Sequence, residues 1–326
     1  MQRRTVIRAG TILLSVGTAA PLFVDRAHAA RRESLHILCS GPAGSIPDLI
    51  ARTIGAQLPT ERALVDNRPG AAGQISVRAL KAAPADGSTL LLAQGAVATI
   101  YPFLYGALGY DPVLDLQPVS LASEMSLAMA VGPAVPAEVA TLNDFIAWMR
   151  RHPAEANVGS PGTGTLPHLL EAMLFREEAV AWQHIAYAGG PPAVTDLLGG
   201  RICALVLPEG LLRQHHATGR LRVLATSGPT RSDYLPGVPC LVEQGHANLI
   251  LKEWFGFFAA QSASKPDIAT ASSALQSAIA STEVATVFAQ SGMTPVSTTP
   301  AALAERIASE QRYWSPVIRG LGIRLD

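Results

Sequence analysis

The chain has 326 residues, with 25 Lys and Arg against 25 Asp and Glu, and a formal net charge of zero. A charge balance of that kind gives no footprint for nucleic acid or for an anionic membrane surface. Beyond the N-terminal segment no stretch is apolar enough to span a bilayer, which needs about 20 apolar residues.

The first elements concern export. Arg3, Arg4 and Arg8 make a positive head, and the apolar run 9–24 is broken by Gly10, Gly17 and Pro21. It ends in Ala27-His28-Ala29, a small-x-small cleavage pattern, so residues 1–29 read as a bacterial signal peptide and the mature chain as periplasmic. Arg3-Arg4 leaves both the Sec and the twin-arginine routes open. The segment takes four basic residues and one acidic residue with it, leaving 21 Lys and Arg against 24 Asp and Glu. The remaining length is at the ceiling for one hydrophobic core, and two domains are expected.

Short apolar runs then alternate with helical patterns. Strands are expected at 35–39, 64–66 and 89–93, with helices at 47–58 and 73–83 between them. The middle repeats this: strands at 127–131, 157–159, 184–186, 202–207 and 223–226, helices at 142–151, 167–176 and 192–198. The first of those helices has a cap candidate at Thr141 or Asn143. The tail reads as helices at 266–280, 283–291 and 300–321. The alternation predicts an α/β fold with largely parallel sheets. Crossings between domains are expected near 129–131 and 254–259. The first domain then comprises 30–128 plus 254–326, the second 129–253, with a ligand cleft between them.

Three loops carry the functional signal. The first is Ser40-Gly41-Pro42-Ala43-Gly44-Ser45-Ile46-Pro47-Asp48, between the first strand and the first helix. Its glycines let backbone approach a ligand, and Pro47 suits a first helical turn. The helix start offers free N–H groups and partial positive charge, an anion site without a basic side chain. Asp48 is placed to brace the loop or to meet a ligand ammonium or water. The second loop, Gly159 to His168, repeats the design with Ser160, Gly162, Gly164 and Thr165; His168 is as well suited to a structural hydrogen bond as to ligand contact. The third is Tyr187-Ala188-Gly189-Gly190, with Tyr187 as a pocket wall and Asp196 as a brace. The segments 66–73 and 86–87 read mainly as turns, with Arg68 structural. His215-His216 reads as solvated surface.

Other chemistries lack their signatures. Cys39, Cys203 and Cys240 are spaced unlike any zinc or redox motif and are expected as free thiols, with one disulfide conceivable in an oxidising periplasm. The sequence has no Gly-x-Ser-x-Gly elbow, no phosphate loop of the Walker type and no metal signature. Gly162-x-Gly164 lacks the third glycine of a dinucleotide fingerprint. No catalytic residue, metal or cofactor is expected. A triad of Ser160, His168 and Asp48 is the enzymatic rival; Ser160 and His168, eight residues apart across a helix start, have no reason to meet.

Taken together, these segments resemble the tripartite tricarboxylate transporter substrate-binding family, also called the Bug family of periplasmic receptors. The resemblance rests on 44–48 with Ala51-Arg52, on Asn67-Arg68-Pro69-Gly70-Ala71-Ala72-Gly73 (close to the family's NRPGAGG) and on 83–90 (close to A-PDGYTL). It continues through 160–168, Tyr187-Ala188-Gly189, 224–239, Trp254-Phe255-Gly256 and the closing Gly322-Ile323-Arg324-Leu325-Asp326. It implies a two-domain venus-flytrap fold of the type II periplasmic class and a monomer. It also implies a small carboxylate ligand and delivery to a membrane permease. A sensory module reporting to a membrane kinase is the alternative sharing the same cleft. The implied ligand residues are Gly44, Ser45, Asp48, Ser160, Gly162, Gly164, Thr165 and His168, then Tyr187 and Gly189. Departures from the family pattern include Ser45, Ser88, Cys240 and the stretch Val206-Leu207-Pro208-Glu209. Leu207 implies a less polar distal pocket, and Glu209, if turned inward, a ligand with a positive group.

Overall fold

Strands and helices alternate through most of the chain, and two long antiparallel strands tie the parallel parts together. The computed structural model describes residues 34–60, 62–84 and 86–326; the signal-peptide reading of 1–29 lies outside the described residues. The strands are β1 Ser34–Cys39, β2 Arg62–Asn67, β3 Thr89–Gln94, β4 Leu116–Val131, β5 Asn157–Ser160, β6 Gln183–Ala186, β7 Ala204–Pro208, β8 Arg222–Thr226, β9 Lys252–Ala260 and β10 Thr294–Pro295. The helices are α1 Ile46–Gly55, α2 Gln74–Lys81, α3 Ala96–Thr99, α4 Tyr101–Leu104, α5 Pro112–Asp115, α6 Leu142–Arg151, α7 Leu166–Glu177, α8 Gly190–Leu198, α9 Gly210–Ala217, α10 Lys265–Ile279, α11 Thr282–Gln290 and α12 Pro300–Leu321. No described helix is long and apolar enough to cross a membrane.

The sheet order is β2-β1-β3-β9-β4-β7-β5-β6, with β8 and β10 also paired to β4. β1 lies parallel to β2 and β3, and β5 parallel to β6 and β7. β4 changes partners along its length. It pairs antiparallel with β9 from Leu116 to Ser126, then with β7 and β8 from Leu127 to Val131. The chain returns at Leu251, whose N–H donates to the Ser227 carbonyl, while Lys252 already faces Ser126. The handovers thus fall at 126/127 and 251/252.

Sequence periodicity revealed only the last third of β4. Ser120, Ser123, Glu124 and Ser126 break its apolar run, yet Ser120 and Ser123 are fully buried. Register shifts between Pro118 and Ser120, and between Leu121 and Ser123, interrupt the two-residue alternation on which the reading depends. The turns α3 and α4 and the helix α9 were also invisible as periodic segments. The expectation of a solvated His215-His216 pair is corrected: both rings are half-buried at the end of α9, and His216 Nδ1 accepts the Val223 N–H at 3.2 Å.

Local rules explain the elements that flank the site. In β3, Leu90, Leu91 and Leu92 are all buried because both faces of this central strand, parallel to β1 and antiparallel to β9, are covered. α1 starts with Pro47 in its first turn and buries Ile50, Ala51 and Ile54. α6 opens with a capping box in which Thr141 and Asp144 exchange hydrogen bonds, which decides between the two cap candidates. One apolar core runs from Leu38 and Leu91 through Leu127 and Met129 to Phe145 and Phe175. The described residues cluster accordingly as one compact body. Two smaller cores flank it, one around Ile50 and Phe257, the other around Ala193 and Leu205. The three cysteines are free and buried; burial first of all pushes the Cys39 thiol up to about 11 and Cys203 to about 12, so both stay protonated.

Candidate functional site

Three helices begin at one cavity. α1, α7 and α8 each carry proline in the first turn. Their N-cap residues Ser45, Thr165 and Gly189 make no side-chain cap bond. The two hydroxyls turn to loop carbonyls instead: Ser45 Oγ donates to Pro42 O at 2.6 Å and Thr165 Oγ1 to Gly162 O at 2.7 Å. The prolines carry no N–H, so what stays available to a ligand is the first N–H of each helix, on Ile46, Leu166 and Gly190, with the positive ends of three helix dipoles beside them.

The cavity measures about 870 Å³. Its walls are 40–47 except Ala43, with Leu49, 69–73, Gln94, Ala96, Tyr105, 161–167 except Gly164, 187–191, Leu207, Pro208, Gly210, Leu211, Glu253, Phe255, Gln290 and Ser291. Among these described residues there is no Lys, Arg or His, and Glu253 is the one carboxyl. A carboxylate held here is held by backbone and hydroxyl groups, with apolar walls for the rest of the molecule.

Of the residues expected from sequence, Gly44, Ser45, Gly162, Thr165, Tyr187 and Gly189 line this cavity. Gly44, Gly162 and Gly189 have φ of 79, 152 and 102°, where a side chain is strained. Tyr187 contributes its ring, while its hydroxyl donates to Asp196 Oδ2 at 2.9 Å. Burial, then that bond to a carboxylate, pushes the phenol up to about 12.

Asp48, Ser160, Gly164 and His168 stand just behind. Asp48 is 5% exposed and accepts from Gly44 N and Asn67 Nδ2, each at 2.9 Å, and from Arg52 Nε. Burial alone would raise its pKa; the Arg52 guanidinium, the Gly44 N–H and the Asn67 amide outweigh it, and the carboxyl is held below the usual range. His168 Nδ1 accepts the Gly164 N–H at 3.1 Å, and its ring stacks on His184 at 3.9 Å. Ser160 Oγ lies 2.8 Å from His184 Nε2 and 3.1 Å from Gly162 O. The protons balance when His184 Nε2–H donates to the serine and the serine donates to the carbonyl. Ser160 is fully buried and meets His184, not His168, so its hydroxyl is spent on the loop. His184 sits on β6 beside Val158 of β5, and nothing in the sequence spacing announces that pairing.

Glu209 is turned away from the cleft. It lines a separate polar cavity of about 170 Å³ with Glu124, Ser126, Asp233 and Lys252. The inward orientation on which its ligand role depended is not found. Leu207, two residues earlier, does line the cleft. The sequence reading missed the 69–73 wall, taken for a turn. There Ala71 and Ala72 adopt φ of 45 and 52°, a costly geometry for alanine, and the Gln94 amide donates to the Ala72 carbonyl. Arg68, next to this wall, pairs with Asp66 at 2.9 Å instead of entering the cleft.

The stacked histidines give a pH prediction. Desolvation lowers both pKa values to about 4, with His184 adding a further push on His168. The folded pKa values are depressed below the unfolded value of about 6.5, so the unfolded chain binds more protons in between. Stability is therefore expected to fall as pH drops from about 6.5 towards 4, by about 3 kcal/mol or more, most of it from the buried His168 once the partial exposure of His184 is discounted. Thermal melts across that window should show the slope, and His184→Gln should reduce it while leaving the share of His168.

Comparison with known proteins gives the family and the fold. The family model described as tripartite tricarboxylate transporter family receptor matches residues 48–323. Protein BugT of Bordetella pertussis (strain Tohama I) is 30% identical over 320 residues, covering 97% of each chain. A solved structure described as a periplasmic transporter superposes with a TM-score of 0.83 at 26% identity, covering 90% of this chain and 98% of its own. R. palustris Rpa4515 with adipate gives a TM-score of 0.83 at 22% identity, covering 89% and 98%. The fold is accordingly that of the type II periplasmic binding proteins, and the sequence match covers most of the chain. This chain belongs to the tripartite tricarboxylate transporter receptor family.

Proposed function

We propose that the chain is a non-catalytic periplasmic receptor that binds a small organic acid and presents it to a membrane permease of the tripartite tricarboxylate type. One observation carries this reading: three helix starts with free N–H groups open into one cleft that holds no basic side chain. Such a site takes the carboxylate through the backbone, so its selectivity lies in the far walls. Rpa4515, which shares the fold, has adipate in its structure. Two lobes follow in this reading, 34–126 plus 252–326 and 127–251, divided where β4 changes partners and the chain returns. The cleft lies between them and closes by rotation about those two strands, the ligand shifting an equilibrium between open and closed forms.

A thermal-shift screen of the purified protein against mono-, di- and tricarboxylates, amino acids and aromatic acids tests the reading. An acid present at about 100 times its Kd stabilises the folded chain by about 2.7 kcal/mol and should raise the melting temperature by several degrees. A screen in which no acid shifts the melt refutes the carboxylate site.

A further inference from the structure

Glu253 lies where the cleft ends. It opens onto the main cavity and also onto a second one of about 330 Å³, and Ala96 and Leu166 share both walls with it. The residue is 8% exposed on β9, opposite Met125 of β4. Two cations line the smaller cavity with it, and both are paired elsewhere: Arg306 is held by Glu310 at 2.8 Å and by Glu124, and Lys252, the preceding residue on β9, pairs with Glu124 at 3.7 Å. The groups that face Glu253 are Glu310 from α12, whose carboxylate also accepts the Trp254 indole N–H at 2.9 Å, and the Tyr101 phenol from α4. Neither offers positive charge.

A second ligand carboxylate reaching this end would meet two acidic side chains, while both cations of the smaller cavity are already engaged by carboxylates. A ligand ammonium would meet the partner that is missing. We propose that Glu253 selects the far end of the ligand, taking a positively charged nitrogen of an acid whose carboxylate sits at the three helix starts. The ligand class is then an amino-substituted monocarboxylate, not a di- or tricarboxylate. This rests on the carboxylate-receptor reading and narrows it. Burial, then the Glu310 charge, raise the Glu253 carboxyl to about 8, against a smaller lowering by the Trp254 backbone. An ammonium favours the ionised form, so binding releases a proton, and the preference should strengthen as pH rises through about 8.

The test is calorimetric titration of the purified protein with three matched series, from propanoate to octanoate chain length: unsubstituted monoacids, ω-amino acids and diacids. The best ω-amino acid is expected to bind about tenfold or more tighter than the monoacid and diacid of its length. Glu253→Gln should erase that margin, read as the ratio of ω-amino acid to monoacid affinity within each variant, so that any general loss of binding cancels and residual monoacid binding reports the folded protein. Tighter binding of a diacid, or a margin that survives Glu253→Gln, overturns the assignment and leaves the receptor reading standing. Failure of all three series to bind overturns both.

Discussion

Replacing Asp48 with alanine is expected to weaken acid binding by about tenfold or more and to destabilise the fold by about 3 kcal/mol. The carboxyl is buried and is the common partner of three donors: Gly44 N–H in the ligand loop, the Asn67 amide at the end of β2 and Arg52 one turn along α1. Truncation leaves the first two without that partner, each a loss of about 1–3 kcal/mol for a buried group. Arg52 adds little, because its side chain is 55% exposed and screened by water. The ligand is affected through Gly44, whose φ of 79° is held by that N–H bond. Asp48→Asn keeps the shape without the charge and should fall between wild type and alanine. Because the folded pKa is depressed, the carboxylate's contribution is complete above the unfolded value of about 4 and is lost as pH falls through the folded value. Urea melts below about pH 4 should therefore show a steeper acid loss in wild type than in Asp48→Asn.

Gly210→Ala is expected to weaken ligand affinity by about tenfold to a hundredfold by opposing closure at the rim of the cleft. Gly210 begins α9, and its Cα packs against the Ser291–Gly292 backbone, which follows α11. A Cβ there would overlap the Ser291 carbonyl, a backbone atom that cannot step aside. The same seam carries Tyr234 Oη to Met293 O at 3.0 Å and Arg213 to Ala289 O at 3.4 Å. In the two-lobe reading all three contacts join one lobe to the other beside the cleft. Overpacking by a methyl costs about 1–3 kcal/mol. Charged to the closed form alone, that cost passes directly into the apparent affinity. Scattering should show a ligand-saturated wild type more compact than ligand-saturated Gly210→Ala. An alanine variant that binds and compacts like wild type contradicts the closing motion.

The loops of this site were legible because backbone chemistry punctuates the sequence. Gly44, Gly162 and Gly189 must adopt positive φ, and Pro47, Pro167 and Pro191 open the helices that follow, so the strand–loop–helix rhythm shows without any coordinates. What escaped depends on partners distant in the chain. His184 matters through Ser160 and His168, which the β5–β6 pairing brings to it. Glu253 reaches the cleft because β9 runs between β3 and β4, in a segment that reads only as an apolar strand. Glu209 and Leu207 show the limit from the other side: two residues apart on one stretch, they face opposite cavities, and a reading of composition cannot decide which looks inward. β4 was shortened by its buried serines and bulges, where side-chain alternation no longer follows the pleat.

The central claim is that a carboxylate is gripped by backbone at the three helix starts. The most direct measurement is a paired calorimetric titration with the best acid from the thermal screen and its methyl ester, which keeps the shape and removes the charge. The account predicts that esterification weakens binding by about a hundredfold or more, as expected when charge-assisted hydrogen bonds to several N–H groups are lost. An ester that binds within about threefold of the acid would contradict it.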